Sequence, residues 1–396
     1  MDLSEIIFWT AIGIVVYTYA MYPCLLWCWC LLAGERKKSP AAAIENLPGI
    51  TLLVAAYNEA DCLAEKIKNA LQIDYPEELL EIWIVTDGST DNSQLIVREF
   101  PRVQLFHQQE RKGKIQAIQR VIGSVQTELV VFTDANALLN RGCLRAIAAA
   151  FTDPLVGAVA GEKRVVDAQD AVTGESMYWI YESLVKKWEG GVYSVTGSAG
   201  EIFAIRKSLF REVPANTLSD DLAISWQIIA QGYRMEYAAD AYSSELGLVN
   251  IRQSFTRRIR VAAGSVQAVL RIFSGKGYTW KPVFWWEVFS HRILRTLVVP
   301  YLLLLIGCLN VWLMHAGVVY GVLLAIQVYG YLATCLYWLR SFSRKQPVWI
   351  SLPAFFILVH FAMIRGALSL WLGKQTVLWE TYPRKMGKAF EEGKND

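Results

Sequence analysis

The sequence predicts an α/β domain with a mostly parallel sheet, helices on both of its faces, and apolar transmembrane helices before and after it. Three observations carry this prediction. Between about residues 47 and 271, short apolar runs alternate with amphipathic stretches, the pattern of βαβ units with right-handed crossovers. Outside that region lie three runs free of Asp, Glu, Lys and Arg: Ile6 to Leu32, Thr296 to Leu339 and Gln346 to Ile364. Three of the apolar runs inside the domain end in polar or acidic residues, as strands do when their carboxyl ends line a site.

The elements follow in order. A spanning helix needs about 20 apolar residues, so the N-terminal run is one helix and the C-terminal runs give about three. The first run starts with Asp2 and Glu5, lacks a basic leader and is too long for a signal-peptide core, so it reads as an anchor. Pro23 is expected to kink it. Glu35-Arg36-Lys37-Lys38 is net basic, which places this flank, and the central domain with it, on the cytoplasmic side. Arg340, Arg344 and Lys345 mark another cytoplasmic turn. One span before the domain and three after it would leave the basic tail residues Arg384, Lys385 and Lys388 outside, and Arg365 interrupts the last run, so a re-entrant last segment stays open.

In the domain, strands are predicted at Ile50 to Ala56, Glu81 to Thr86, Val103 to Phe106, Leu129 to Thr133 and from Val156 to Glu162. Helices follow the first strand to about Gln72, run from Lys114 to Ile122, and span about Gly174 to Trp188. The polar strand ends are Tyr57-Asn58-Glu59, Asp87-Gly88 and Asp134-Ala135-Asn136. A carboxylate and an amide carbonyl two residues apart are oxygen ligands suited to Mg²⁺ or Mn²⁺, though Asp-Ala-Asn also reads as a simple turn. No GxGxxG turn follows the first strand and no GxxxxGK[ST] motif exists, which disfavours a dinucleotide fold and a P-loop.

Hydrophobic residues make up 54% of the 396 and charged residues 19%, too apolar a balance for an ordinary soluble protein. The net charge of +3 is too small to suggest a nucleic-acid partner. The seven cysteines show no zinc spacing and read as reduced packing residues.

Taken together, Val54-Ala55-Ala56-Tyr57-Asn58-Glu59, Thr86-Asp87-Gly88-Ser89, Asp134-Ala135-Asn136 and Ser219-Asp220-Asp221 resemble the motifs of the membrane-bound glycosyltransferases of family 2. The group includes the cellulose, hyaluronan and chitin-oligosaccharide synthases, and the likeness covers about residues 47–270 plus the flanking spans. The resemblance implies a GT-A fold and a site for a UDP-sugar. It implies that Tyr57, with Asn58 and Glu59, faces the uracil, that Asp87 accepts the base imino hydrogen, and that Lys114 of Arg111-Lys112-Gly113-Lys114 lies near the nucleotide. Asp134 would contact the metal and the donor, with Asn136 where the family has a second acid. Thr196 to Arg206, with Gly197, Ser198 and Gly200, resembles the acceptor-side segment, against the plainer reading of a hairpin turn. Asp221 falls where the family has its general base and Asp220 beside it, against the plainer reading of acids in a capped first helical turn. Arg258 and Arg260 fall in the QxxRW region and would hold the diphosphate, or else face anionic lipid. Arg257 and Val261 replace the Gln and Trp of that motif, which weighs against processive elongation.

The expected organisation is an anchor at 1–34, a cytoplasmic catalytic domain at 47–271, an interfacial aromatic and basic segment at 275–291, a membrane region at 292–374 and a polar tail at 375–396. Tyr178, Trp179 and Tyr181 are either core or a stacking face for sugar rings. Three functions compete. One is an inverting transferase of the plasma membrane, adding sugar to a lipid-linked or polysaccharide-precursor acceptor. Another is a processive synthase that also secretes its polymer. The third is a non-catalytic scaffold or nucleotide sensor.

Overall fold

The computed structural model describes residues 2–34, 46–166, 173–246, 251–273, 280–340 and 346–379. The basic groups at 35–38, 344–345 and 384–388 and the start of the aromatic segment at 275–279 lie outside the described residues.

The first strand shows why the domain forms. In β1 (Ile50–Ala56) all seven residues are buried. Ile50, Leu52, Val54 and Ala56 join one apolar core, and Leu53 joins the other. A strand covered on both faces needs apolar residues at every position, and this one has them save for Thr51, which bonds to Thr127. Around it the sheet runs in the order β3-β2-β1-β4-β7-β6-β8-β5. The other strands are β2 (Leu80–Asp87), β3 (Val103–Gln108), β4 (Leu129–Asp134), β5 (Leu138–Leu139), β6 (Val156–Val166), β7 (Phe203–Arg206) and β8 (Arg234–Leu246).

The half formed by β3, β2, β1 and β4 is parallel throughout. β7 runs antiparallel between β4 and β6, β5 pairs antiparallel with β8, and β6 and β8 are parallel. The sheet is therefore mixed in its second half, where β7, reached through the helix at residues 174–192, runs against both of its neighbours.

Helices α2 (Ala60–Leu71), α3 (Ser93–Arg98) and α4 (Lys114–Ile122) cover the first half, and α5 (Cys143–Ala150) packs on β8 and β6. α4 buries Ile115, Ile118, Val121 and Ile122, the helical spacing that lays one apolar face on the sheet. The longer α6 (Gly174–Val192) is capped by Thr173 and Ser176, each accepting from the other's backbone amide. α7 (Asp220–Ala230) and α8 (Ile251–Ile272) complete the domain.

Among the described residues, four helices are long and apolar enough to cross a membrane: α1 (Leu3–Ala33), α9 (Pro282–Leu313), α10 (Val318–Arg340) and α11 (Val348–Trp371). α1 widens to a π turn over Tyr17–Met21 just before Pro23. Proline has no amide hydrogen to donate and its ring crowds the preceding turn, which accounts for the loosened winding there. The aromatic segment reaches the domain core. Trp280 packs edge-on against Trp226 of α7 at 5.5 Å, and Phe284 is fully buried.

α11 lies directly on the domain. A Cβ on Gly366 would sit 2.7 Å from the Ala263 amide nitrogen and 2.8 Å from the Ile259 carbonyl, so only glycine allows α11 and α8 to touch there. A Cβ on Gly174 would likewise collide with the Ser351 carbonyl, and the Gly174 amide donates to Ser351 Oγ at 3.1 Å.

Candidate active site

The polar strand ends come together at one edge, since Ala55 of β1 sits opposite Asp134 of β4 and Ala56 opposite Thr86 of β2. Asp87 accepts the Lys112 amide at 2.9 Å and the Gly113 amide at 2.7 Å. Gly88 has a φ of +71°, and a Cβ there would meet Arg111 at 2.8 Å, so the turn needs glycine twice over. The Arg111 guanidinium lies 3.5 Å from the centre of the Tyr57 ring. Asn58 holds a φ of +50° and its Oδ1 accepts the Thr90 amide at 2.8 Å. The Glu59 amide donates to Ser93 Oγ, and Glu59 lines the cleft.

Lys114 opens α4 and donates to Asp134 Oδ1 at 2.7 Å, with Asp220 Oδ2 at 3.7 Å. Burial works against its charge, but Asp134 and Asp220 outweigh that and hold the ammonium above the usual lysine value. Asn136 Oδ1 is buried and has no hydrogen-bond partner among the described residues. Beneath this loop Lys66 is fully buried, donating to Thr133 Oγ1 at 2.9 Å and to the Ala137 carbonyl. Burial brings its pKa down to about 7.

Asp220 and Asp221 begin α7 after Ser219, as a helix start built on Ser-Asp-Asp should. Asp221 accepts from Ser219 Oγ at 2.7 Å and, more loosely, from Ser198 Oγ at 3.5 Å. Burial, then the neighbouring Asp220, push its carboxyl above the ordinary aspartate value. Gly197 lies against Arg292 and Leu222, and Gly200 is open except for Lys114 Nζ, 3.7 Å from where a Cβ would be.

The arginines of α8 take different places. Arg260 is near enough to Asp220 and Asp134 to feel both, reaches the Val377 carbonyl at 3.4 Å, and leaves its Nε unpartnered among the described residues. Arg258 instead pairs with Glu175 at 2.8 Å and lies over Phe355 of α11 at 4.2 Å. Arg257, which stands where the resemblance expects Gln, bridges Glu201 and Glu245 at 3.1 Å each. Lys163 shares both acids, so this substitution sits within a buried four-charge network.

One cleft of about 380 Å³ joins Asp134, Asn136, Lys114, Asp220, Asp221 and Ser198. It continues past Trp179, Lys186 and Arg292 to Val359 and Met363 of α11. Three contributors gave no signal in the sequence. Trp379, beyond α11, meets the Tyr57 ring edge-on at 6.0 Å, and its carbonyl accepts from Arg111. Lys186 and Arg292 line the deeper part and belong to helices whose charges read in sequence as a solvated face and a membrane boundary. Tyr181 bonds to the Tyr19 carbonyl of α1 at 3.1 Å, while Tyr178 and Trp179 face the cleft.

A mixed sheet with Asp134 at a strand's carboxyl end, Lys114 and Asp220 at the starts of neighbouring helices, and membrane helices behind it defines the site of a GT-A-type domain. Residues 51–213 match the model of Glycosyl transferase family 2. Among curated proteins, poly-beta-1,6-N-acetyl-D-glucosamine synthase of Staphylococcus aureus (strain MSSA476) is 28% identical over 60% of this chain and 59% of its own length. The protein of the same description from Staphylococcus epidermidis is 26% identical over 58% of this chain and 57% of its own length. The chain thus aligns with little more than half the length of these relatives. Among solved structures, the mannosyltransferase PcManGT from Pyrobaculum calidifontis, in complex with GDP-Man and Mn²⁺, superposes with a TM-score of 0.71 at 25% identity. That match covers 94% of this chain and 100% of the other, so the likeness includes the membrane helices as well as the sheet.

Proposed function

We propose that this chain is a membrane-embedded inverting glycosyltransferase that moves a sugar from a UDP-sugar to a hydroxyl of a lipid-linked or polysaccharide-precursor acceptor. One observation carries the reading. Asp221 is held above the normal carboxylate range in the same cleft in which Lys114 is shared by Asp134 and Asp220. A proton acceptor and a cationic anchor therefore face one space.

Each residue then has a task. The base would lie by Tyr57, and its imino hydrogen would share an Asp87 oxygen with a backbone amide, since each carboxylate oxygen has two lone pairs. Lys114 and Arg260 would face the diphosphate. Asp134, Asp220 and the unpartnered Asn136 Oδ1 are hard oxygen donors and fit Mg²⁺ or Mn²⁺, with Asp134 and Asn136 the residues that would hold it. When bound, the metal would supply positive charge to the leaving diphosphate. Asp221 takes the proton of the acceptor hydroxyl as that oxygen bonds to the anomeric carbon. The bond from that carbon to the diphosphate oxygen breaks, and UDP leaves. A single displacement inverts configuration and needs no second carboxylate as nucleophile. The catalytic domain would lie on the cytoplasmic side of the plasma membrane.

Processive synthesis with export is a second reading, favoured by the likeness to the staphylococcal synthases. Val261 in place of the motif tryptophan and the engagement of Arg258 by Glu175 weigh on the side of few additions. The test uses the full chain in detergent with UDP-glucose, UDP-N-acetylglucosamine, UDP-galactose and GDP-mannose, each with Mn²⁺ or Mg²⁺. Release of UDP with short products supports the proposal, and long polymer supports the second reading. Release of GDP alone overturns the UDP assignment. No nucleotide release from any donor overturns the enzyme reading in favour of a scaffold.

A further inference from the structure

The deep part of the cleft carries cations that the donor chemistry does not use. Lys186 of α6 is 4% exposed, yet it lines the cleft. Its ammonium has no hydrogen bond or ion pair among the described residues and lies 5.9 Å from the centre of the Trp179 ring. Arg292 of α9 lines the same stretch and spends only its Nε, on Thr196 Oγ1 at 3.1 Å.

The acids nearby are already committed. Glu182 pairs with Arg295 at 2.5 Å and with His291 at 3.5 Å. Glu189 accepts from Tyr22 at 2.8 Å and contacts His291 at 2.6 Å. Glu201 is taken by Lys163 and Arg257. Two cations without an ion pair, the lysine buried and the arginine half-buried, gain where an anion meets them. Burial in fact lowers the Lys186 pKa, the mark of an ammonium short of counter-charge.

Position narrows the anion. Lys114 lies in the field of Asp134, Asp220 and Asp221, and Lys186 in that of Glu182, Glu201 and Asp221. Asp221 is therefore felt both by the donor anchor Lys114 and by Lys186. The same cleft is also lined by the apolar Val359, Ala362 and Met363 of a membrane helix. Carboxylates, cations and membrane-helix side chains thus line a single cleft. A neutral glycan would match neither the charges nor the apolar end.

We propose that Lys186 and Arg292 bind the phosphate of a lipid-linked acceptor, whose sugar hydroxyl reaches Asp221 and whose hydrocarbon chain leaves beside α11. This deepens the transferase reading and rests on it for the word acceptor. Phosphate oxygens give both cations charge-assisted bonds that the apo cleft lacks.

The experiment measures binding of farnesyl phosphate, farnesol and inorganic phosphate to the full chain in detergent by calorimetry. Farnesyl phosphate carries the phosphate and the chain without a sugar, so it reads anchoring alone. It is expected to bind at least about tenfold more tightly than either of the other two. Lys186→Met and Arg292→Gln should each weaken it by about tenfold or more, while Lys186→Arg retains it. Lys186→Met removes an unpaired buried charge, so its melting temperature without ligand should equal or exceed that of the parent, which separates lost binding from lost folding. Equal binding of farnesol overturns the phosphate, and equal binding of inorganic phosphate overturns the lipid. Unchanged affinity in both Lys186→Met and Arg292→Gln overturns the site. Nucleotide release is assayed on the same preparation. Farnesyl phosphate bound through Lys186 by a protein that releases no nucleotide supports the phosphate site and sinks the transferase reading alone.

Discussion

Asp221 sets function against stability. Its carboxyl is held above the ordinary value by burial and by Asp220. An unfolded aspartate ionises near 3.8, so the folded state binds the extra proton between that pH and its own raised value. Relative to a neutral side chain, the penalty is absent below 3.8 and complete above the folded pKa. Asp221→Asn should therefore melt higher than the parent at pH 7 while losing about 10²–10⁴ of turnover and keeping nucleotide affinity. A variant that melts lower and still turns over would remove Asp221 as base. Lys66 has the opposite sign of proton balance. It releases its proton near pH 7 when folded and near 10.5 when unfolded, so stability should rise with pH across that window. The melting temperature of the parent should gain on that of Lys66→Met between pH 7 and 9.5, and a constant difference would contradict the buried-amine assignment. At this scale the sequence was informative where chemistry sits at strand ends. Asp87 and Asp134 stand out because each closes an apolar run at the same sheet edge, and Asp221 because its segment resembles a family motif. Lys66 and Lys186 gave no signal, because a lysine within an amphipathic helix looks solvated until its neighbours are known.

Among the elements, periodicity revealed the parallel strands and the helices between them to within a few residues. It did not reveal β7 or β8. Thr196 to Arg206 read as an acceptor segment or a turn, and its last four residues instead pair antiparallel with both β4 and β6. Pairing direction is a tertiary property, and a four-residue strand has too short an alternation to announce itself. The crossing of α8 and α11 was equally silent. Gly366 lies in an apolar helix, and its role exists only because Ile259 and Ala263 are beside it. Gly366→Val should overpack that crossing at a cost of about 1–3 kcal/mol. It should also displace α8, and Arg260 with it, so turnover should fall further than in Gly366→Ala. Thermal melts and nucleotide release on the two variants check this, and a Val variant with unchanged stability would mean that the helices do not meet as described.

For the whole molecule, apolar runs announced the membrane helices, but composition could not say how they join the catalytic domain. The join is α6, held from both sides. Tyr22 of α1 donates to Glu189, Arg295 of α9 pairs with Glu182, and Ser351 of α11 accepts the Gly174 amide. Burial alone would raise the Glu182 carboxyl, but Arg295 and His291 hold it well below the usual range. The acid therefore remains charged inside the junction and depends on its partner. Arg295→Met leaves that charge without its closest cation and should cost about 3–5 kcal/mol. Removing the acid as well, in Glu182→Leu with Arg295→Met, should return most of the loss, because an apolar pair of similar volume avoids the desolvation of both charges. The measurement is thermal unfolding of the full chain in detergent, comparing parent, single and double variants. If the double variant is as unstable as the single, packing and not charge holds the domain to its membrane helices.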